Sequence, residues 1–262
     1  MVNSLSLLSL TLSLVLSIAV PLGTAIYFRR RDKISYFNIF AGAGVFLLFA
    51  LVLEQGMHVY MLKANLSTAV FINSNPWIFA LYGAFAAGIF EETGRLAAFK
   101  LLLKGRTQRK DGIAYGIGHG GMEAILIGGF SMAQNLYFAL LINSGKLAST
   151  MGTRLSDSML DQISSALINT NPFLFLISGF ERTIAFVIQV GLSLMVLHAV
   201  RSKKYHYFAL AILLHAAVDF PAGLYQKGII SNVWSIEAVC LIFAAASLIF
   251  INKWDRIFKY SK

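Results

Sequence analysis

Three short stretches hold residues that an apolar segment does not keep without a use. "EETGR" at 91–95 places the adjacent carboxylates Glu91 and Glu92 four and three residues before Arg95. "HGGME" at 119–123 places His119 four before Glu123, and "HAAVD" at 215–219 places His215 four before Asp219. Residues three or four apart share one face of a helix, so each stretch offers a polar pair to a common centre. Groups of these types suit hydrolysis of an amide, which needs a base to activate water, an acid for the leaving nitrogen and donors for the oxyanion. Glu91 is the candidate base, and Arg95, one turn from it and from Glu92, favours an ionised glutamate. His119 can align the water and shuttle its proton, while His215, held by Asp219, faces the developing oxyanion.

The same atoms admit a second chemistry. His119, Glu123, His215 and Asp219 offer nitrogen and oxygen ligands for a divalent metal such as zinc, whose bound water would be the nucleophile. No HExxH helix occurs, however, and no segment carries two histidines at ligand spacing. Metal-free glutamate chemistry, which requires no cofactor, is therefore the preferred reading. A serine or cysteine nucleophile is disfavoured, because there is no GxSxG elbow and the lone Cys240 has no base in its segment. One cysteine also rules out an internal disulfide framework.

These groups must be positioned by membrane helices. Hydrophobic residues make up 57% of the 262 positions and charged residues 13%, and the mean hydropathy is +0.70, far from the usage of a soluble domain. Apolar segments fall at 5–28, 34–60, 76–103, 112–142, 172–200, 205–226 and 230–252. Each is long enough to cross a hydrocarbon core of about 30 Å. The expected fold is an all-α, polytopic helical bundle of about seven transmembrane helices, a single transmembrane domain over 1–262, integral to the cell membrane. The first segment has no basic residues before it, so it reads as a retained helix and not as a secretory signal.

Basic residues give the orientation. Arg29, Arg30, Arg31, Lys33, Lys104, Arg106, Arg109, Lys110, Arg201, Lys203, Lys204, Lys253, Arg256, Lys259 and Lys262 fall on one side of seven spans, and only Lys63, Lys146, Arg154 and Lys227 on the other. That asymmetry predicts an N-out, C-in topology. It also accounts for the net charge of +10 without nucleic acid, since cations beside helix ends meet anionic lipid headgroups at the cytoplasmic face.

Of twelve acidic residues, Glu54, Glu91, Glu92, Glu123, Glu181, Asp219 and Glu237 lie within predicted spans. An ionisable group at mid-membrane costs about 2.5 to 3.5 kcal/mol on insertion scales and turns to a cavity or a partner, so a polar interior site is expected. Gly112, Gly116 and Gly120 form a small-residue face beside His119 that lets another helix approach closely. Glu181 either joins the site or pairs with Arg182 or Arg154. Glu54 and His58, four apart near a helix end, read as a hydrated terminus. Between 143 and 171, Leu155, Met159, Ile163 and Leu167 recur at helical spacing and predict an amphipathic surface helix.

"EETGR", "GHGGME" at 118–123, "ERTIAF" at 181–186 and "HAAVD", in this order on successive helices, resemble the YhfC-type intramembrane proteases, distant relatives of the CAAX-endopeptidase and bacteriocin-processing (CPBP) family and of the PrsW proteases. The resemblance covers roughly 34 to 250 and matches a double glutamate with a following basic residue (Glu91, Glu92, Arg95), an aromatic residue four before a histidine (Tyr115, His119), and a histidine four before Asn or Asp (His215, Asp219). It implies water activation by Glu91 and His119, an oxyanion site at His215 and Asp219, and a membrane protein or peptide as substrate. It leaves metal and glutamate mechanisms both open. Prenylated CAAX substrates are not implied, because two residues, not three, separate Glu92 from Arg95. Two other functions are compatible with buried Glu, Asp and His: a proton-coupled carrier or channel, and a non-catalytic scaffold.

Overall fold

The computed structural model describes residues 1–257, with side chains to Trp254; Lys259 and Lys262, and the side chain of Arg256, lie outside the described residues. Among the described residues there are helices and no strands. The helices are α1 (Ser4–Asp32), α2 (Tyr36–Ala64), α3 (Leu66–Ser74), α4 (Pro76–Ala97), α5 (Arg109–Asn143), α6 (Leu147–Met151), α7 (Asp157–Asn169), α8 (Pro172–Ser202), α9 (His206–Gln226) and α10 (Val233–Ile257). Six of them, α1, α2, α5, α8, α9 and α10, are long and apolar enough to cross a membrane. The remaining expected span, α4, runs on as a wider π-turn over Ala98–Leu102. It is set apart from the six by composition, because it carries Glu91, Glu92 and Arg95.

The side chains are distributed as lipid solvent requires. On α1 the serines Ser6, Ser9, Ser13 and Ser17 are buried, whereas Leu5, Leu8, Leu12, Val15, Ile18 and Leu22 are exposed. Large apolar groups face outward and small residues face the neighbouring helices, because hydrocarbon gives no drive to hide leucine and close backbone approach rewards small side chains.

The chain forms two compact units. The first comprises Met1–Gly23 and Glu123–Thr183. Within it a Cβ at Gly179 would come within 2.6 Å of the Ser13 Cα, and Ser13 Oγ donates to the Phe175 carbonyl at 2.6 Å. Val2, Leu10, Met132, Ala139 and Leu167 form its apolar centre. The expected amphipathic helix is α7, capped by Ser156, which accepts from the Met159 amide. Its buried residues are Leu160 and Leu167, while Met159, expected on the apolar face, is exposed.

The second unit comprises Thr24–Met122 and the chain from Ile184 onward. Here α4 begins at a proline, behind the cap Asn75, whose side chain accepts from the Trp77 and Ile78 amides. The first half of α5 packs backbone to backbone on two sides. Toward α8, a Cβ at Gly112 would come within 2.7 Å of Leu194 Cδ2, one at Gly116 within 2.7 Å of Val190 Cα and one at Gly120 within 2.8 Å of Gln189 Cβ. Toward α2, a Cβ at Gly118 would overlap the Ile39 carbonyl oxygen, and one at Gly42 the Tyr115 carbonyl oxygen. Helix α9 lies equally close to α4, where a Cβ at Gly88 would sit 2.9 Å from the Ile212 carbonyl and 3.6 Å from His215 Cβ.

The contacts at Gly42, Gly88, Gly116 and Gly118 are with backbone atoms and have no flexible end to give way. Gly118→Ala is expected to destabilise the protein by about 1–3 kcal/mol through overpacking, read as a lowered thermal-aggregation temperature. Gly44→Ala, where nothing lies within 4 Å of the added Cβ, is the matched control; equal behaviour of the two variants would refute the contact.

Candidate active site

Helix α4 supplies the charges. Glu92 and Arg95 are fully buried and Glu91 nearly so. The Arg95 guanidinium donates through one amino group to Glu92 Oε1 and through the other to Glu91 Oε2, the latter at 3.3 Å. The same second amino group also donates to Gln189 Oε1 of α8. Spacing of three and four residues along one helix makes the fork possible, and the planar guanidinium matches it.

Helix α5 brings His119, whose Nε2 lies 2.8 Å from Glu91 Oε2. An ionised carboxylate only accepts, so this nitrogen carries the proton and donates. The His119 ring is held by Phe46 of α2, edge-on at 5.3 Å between ring centres, and by Tyr115 one turn earlier at 6.0 Å. Gln189 Nε2 donates to the same Glu91 oxygen at 3.1 Å. Three donors thus converge on Oε2, while Oε1 of Glu91 takes no hydrogen bond from the described residues.

Helix α9 brings His215. Its Nδ1 donates to Glu92 Oε1 at 2.7 Å, and its Nε2 lies 4.0 Å from Glu91 Oε2 and 3.5 Å from Asp219 Oδ2. The expectation that Asp219 holds His215 is thus refined. Glu92 grips one nitrogen of the ring, and Asp219 stands farther off on the other, with its side chain 40% exposed. Around this centre, Glu92 Oε2, Arg95 Nε, Tyr115 Oη and His119 Nδ1 are buried without a protein hydrogen-bond partner. Buried polar atoms of this kind are where ordered water is held.

Six of the seven expected site residues, Glu91, Glu92, Arg95, His119, His215 and Asp219, therefore meet in the second unit. Glu123 does not join them. It belongs to the first unit, where it accepts from Arg182 at 3.4 Å, and Glu181 accepts from the same arginine. Glu181 thus takes the pairing alternative. Gln189 was missed as a site residue; its sequence signal was only a lone amide on an apolar helix.

Of the expected metal ligands, His119, His215 and Asp219 lie in the second unit and Glu123, which accepts from Arg182, in the first. Among the described residues no three of His, Cys, Asp and Glu are arranged to hold one ion. The two imidazoles that do converge both face Glu91 Oε2, the oxygen that also accepts from Arg95. The resident cation of the site is therefore a guanidinium, and it would oppose a divalent ion at that point. The residues as arranged do not fit a metal.

Beside Asp219 a cavity of about 380 Å³ is lined by His58, Leu62, Phe79, Tyr82 and Gln226 among others. Glu54 and His58, expected at a hydrated terminus, are bonded there: His58 Nε2 lies 3.2 Å from Glu54 Oε1, and His58 Nδ1 2.9 Å from Tyr82 Oη. Glu54 itself is buried.

Comparison with known proteins places the chain beside a family of membrane proteins. A family model described as "YhfC intramembrane metalloprotease" matches residues 16–240, a description compatible with a divalent metal. The chain is 37% identical over 259 residues to a Bacillus subtilis (strain 168) protein described as "Uncharacterized membrane protein YhfC", covering 99% of this chain and 100% of that one. No solved structure matches. With the match spanning α1 to α10 and including every residue of the buried centre, the chain belongs to the YhfC intramembrane metalloprotease family.

Proposed function

We propose that this membrane protein is an endopeptidase that hydrolyses a peptide bond of a membrane-embedded or membrane-adjacent polypeptide, using water activated by Glu91. One observation carries the reading: three donors fix Glu91 through Oε2 and leave Oε1 without a protein partner. A carboxylate oriented through one oxygen and open at the other is placed to accept a proton from water.

In the proposed reaction Glu91 takes a proton from water as the water oxygen attacks the scissile carbonyl carbon. His215, protonated on Nδ1 toward Glu92, donates from Nε2 to the oxyanion when that nitrogen also carries a proton. Collapse of the tetrahedral intermediate breaks the C–N bond. The proton held on Glu91 passes to the leaving nitrogen with His119 alongside, yielding a carboxylic acid and an amine, which become carboxylate and ammonium by transfer of the acid's proton. Arg95 and Gln189 position the base and do not touch the reacting atoms. Anionic lipid at the cytoplasmic face is the proposed surrounding of the basic helix ends.

The test is a comparison of membrane-protein N-termini, by peptide mass spectrometry, in cells with and without the chain. New N-termini are the expected result. Identical profiles with folded protein would instead favour a proton-coupled carrier or a scaffold. Once a cleaved sequence is in hand, cleavage by the purified protein is expected to persist in phenanthroline, because Arg95 occupies the cation's place. Loss of cleavage that zinc restores would overturn the metal-free route.

A further inference from the structure

A crevice of about 310 Å³ lies between α8, α9 and α10, lined by Leu192, Met195, Leu214, Ile242, Ala246 and Phe250 among others. Ser247 is the polar side chain among the lining residues. Ile242 is 67% exposed and Ala246 is exposed as well, so the crevice opens on a surface that hydrocarbon covers. Its floor is closed where α8 meets α10, since a Cβ at Gly191 would come within 2.7 Å of Ser247 Oγ. Along α8 it runs from Ile188 to Met195, about 10 Å. A helix of that length, about 10 Å across, fills on the order of 800 Å³. The crevice therefore admits a thin flexible chain and not a helix.

One end of it leads to positive charge. The Phe250 ring meets the Trp254 ring edge-on at 5.5 Å between centres, Trp254 meets His198 in the same way, and His198 meets Tyr207. Arg201 stands three residues beyond His198 and six beyond Met195, about 9 Å along α8 from the crevice. Lys203 and Lys204 follow, and Lys100 Nζ lies 4.6 Å from the centre of the Tyr205 ring, at the start of α9. Among the described residues none of Lys100, Arg201, Lys203 and Lys204 is ion-paired. Of the acidic residues in the connections on this side, Asp32 pairs with Arg31, and Asp111 accepts from Asn38 and from the Gln108 amide. The side chain of Asp255 lies outside the described residues. No side chain caps the start of α9, and a helix start adds partial positive charge.

We infer that this crevice holds one acyl chain of an anionic phospholipid, whose phosphate sits at the start of α9 among Lys100, Arg201 and Lys204. An apolar tail joined to an anionic head answers both halves of the site. Phosphate, with several acceptor oxygens, suits a group of cations that includes a guanidinium. A chain bound here packs on Leu214, the residue before His215, and so braces the helix that brings one imidazole to the buried centre. This lipid site is independent of the endopeptidase reading, and its test involves no cleavage.

The purified full chain is placed in phosphatidylcholine nanodiscs with a trace of phosphatidylglycerol or of phosphatidylcholine carrying a photoreactive diazirine in the same acyl chain. Labelled residues are mapped by peptide mass spectrometry. At Met195, Leu214 and Ala246 the glycerol lipid is expected to label about fivefold or more above the choline lipid, since one engaged cation contributes ~1 kcal/mol toward an anionic head. At Leu8 and Leu12, exposed on α1, the two are expected to label alike. Arg201→Gln with Lys204→Gln is expected to erase the preference in the crevice. Ala246→Phe, at an exposed position with room for a ring, is expected to remove crevice labelling from folded protein. Should the double variant fail to fold, Lys204→Gln alone is expected to lower the preference severalfold. Equal labelling by both lipids in the crevice, or a preference that survives loss of the cations, would overturn the proposal. Diazirine-bearing palmitate that labels the crevice as strongly as phosphatidylglycerol would overturn the assignment to a phospholipid.

Discussion

Glu91→Gln is expected to lower the rate of peptide cleavage by about 10²–10⁴-fold, the range supplied by a positioned general base, while the protein stays folded. The amide keeps the shape of the carboxylate, and its oxygen can accept from Arg95, His119 and Gln189 as Oε2 does now. What it loses is basicity at the other position, where an NH₂ group replaces Oε1. Arg95 retains Glu92 as its counter-ion, so the change does not leave an unpaired buried cation. Initial rates on a peptide spanning an identified cut, at equal enzyme abundance and with matched thermal-shift curves, measure the effect. Glu123→Gln is the companion variant. Its carboxylate faces Arg182, which also has Glu181, and cleavage is expected to continue. Loss of cleavage in Glu123→Gln, or retention in Glu91→Gln, would remove Glu91 from the role of base.

The largest effect on stability is expected from Arg95→Met, which leaves two buried carboxylates without their cation. Breaking a buried ion pair from one side costs about 3–5 kcal/mol, a large share of the stability of most proteins, so little monodisperse protein should be recovered. Lysine is not expected to substitute well. Arg95 serves Glu92 with one amino group and Glu91 and Gln189 with the other, whereas an ammonium is a point charge without that fork. Replacing both carboxylates by amides, Glu91→Gln with Glu92→Gln, in the Arg95→Met background should recover folded but inactive protein. If Arg95→Met alone melts like wild type, the guanidinium is not what makes these carboxylates tolerable within the bundle.

Much of this site was legible in the sequence because membrane burial makes charge conspicuous. Glu91, Glu92 and Arg95 stand out on a segment otherwise apolar enough to span, and i,i+3 and i,i+4 spacing is sufficient to predict their mutual contacts. The glycine face at Gly112, Gly116 and Gly120 likewise announced a close helix neighbour. Its identity was not legible: α8 is far along the chain, and only packing shows that the face delivers Gln189. The His215–Glu92 bond, across 123 residues, competes with the local His215–Asp219 spacing, and local spacing is what a sequence displays. Glu123 misled for the same reason. Four residues turn a helix slightly past one full revolution, and a tertiary partner, Arg182, decides which way such a side chain goes. The polar chain of Glu54, His58 and Tyr82 was half visible, because Glu54 and His58 are local to each other whereas Tyr82 comes from another helix.

The glycine contacts of α5 also fix which part of the system moves. A turn of this helix by one residue would drive side chains into the Ile39 carbonyl on one flank and the Val190 backbone on the other. The helix therefore cannot carry His119 aside by turning, and the buried centre has no slack of that kind with which to wrap around an intact helix. If a transmembrane polypeptide is cut here, it must give up its own backbone hydrogen bonds to present an extended peptide bond, so the ease with which the substrate unwinds governs which chains are cut.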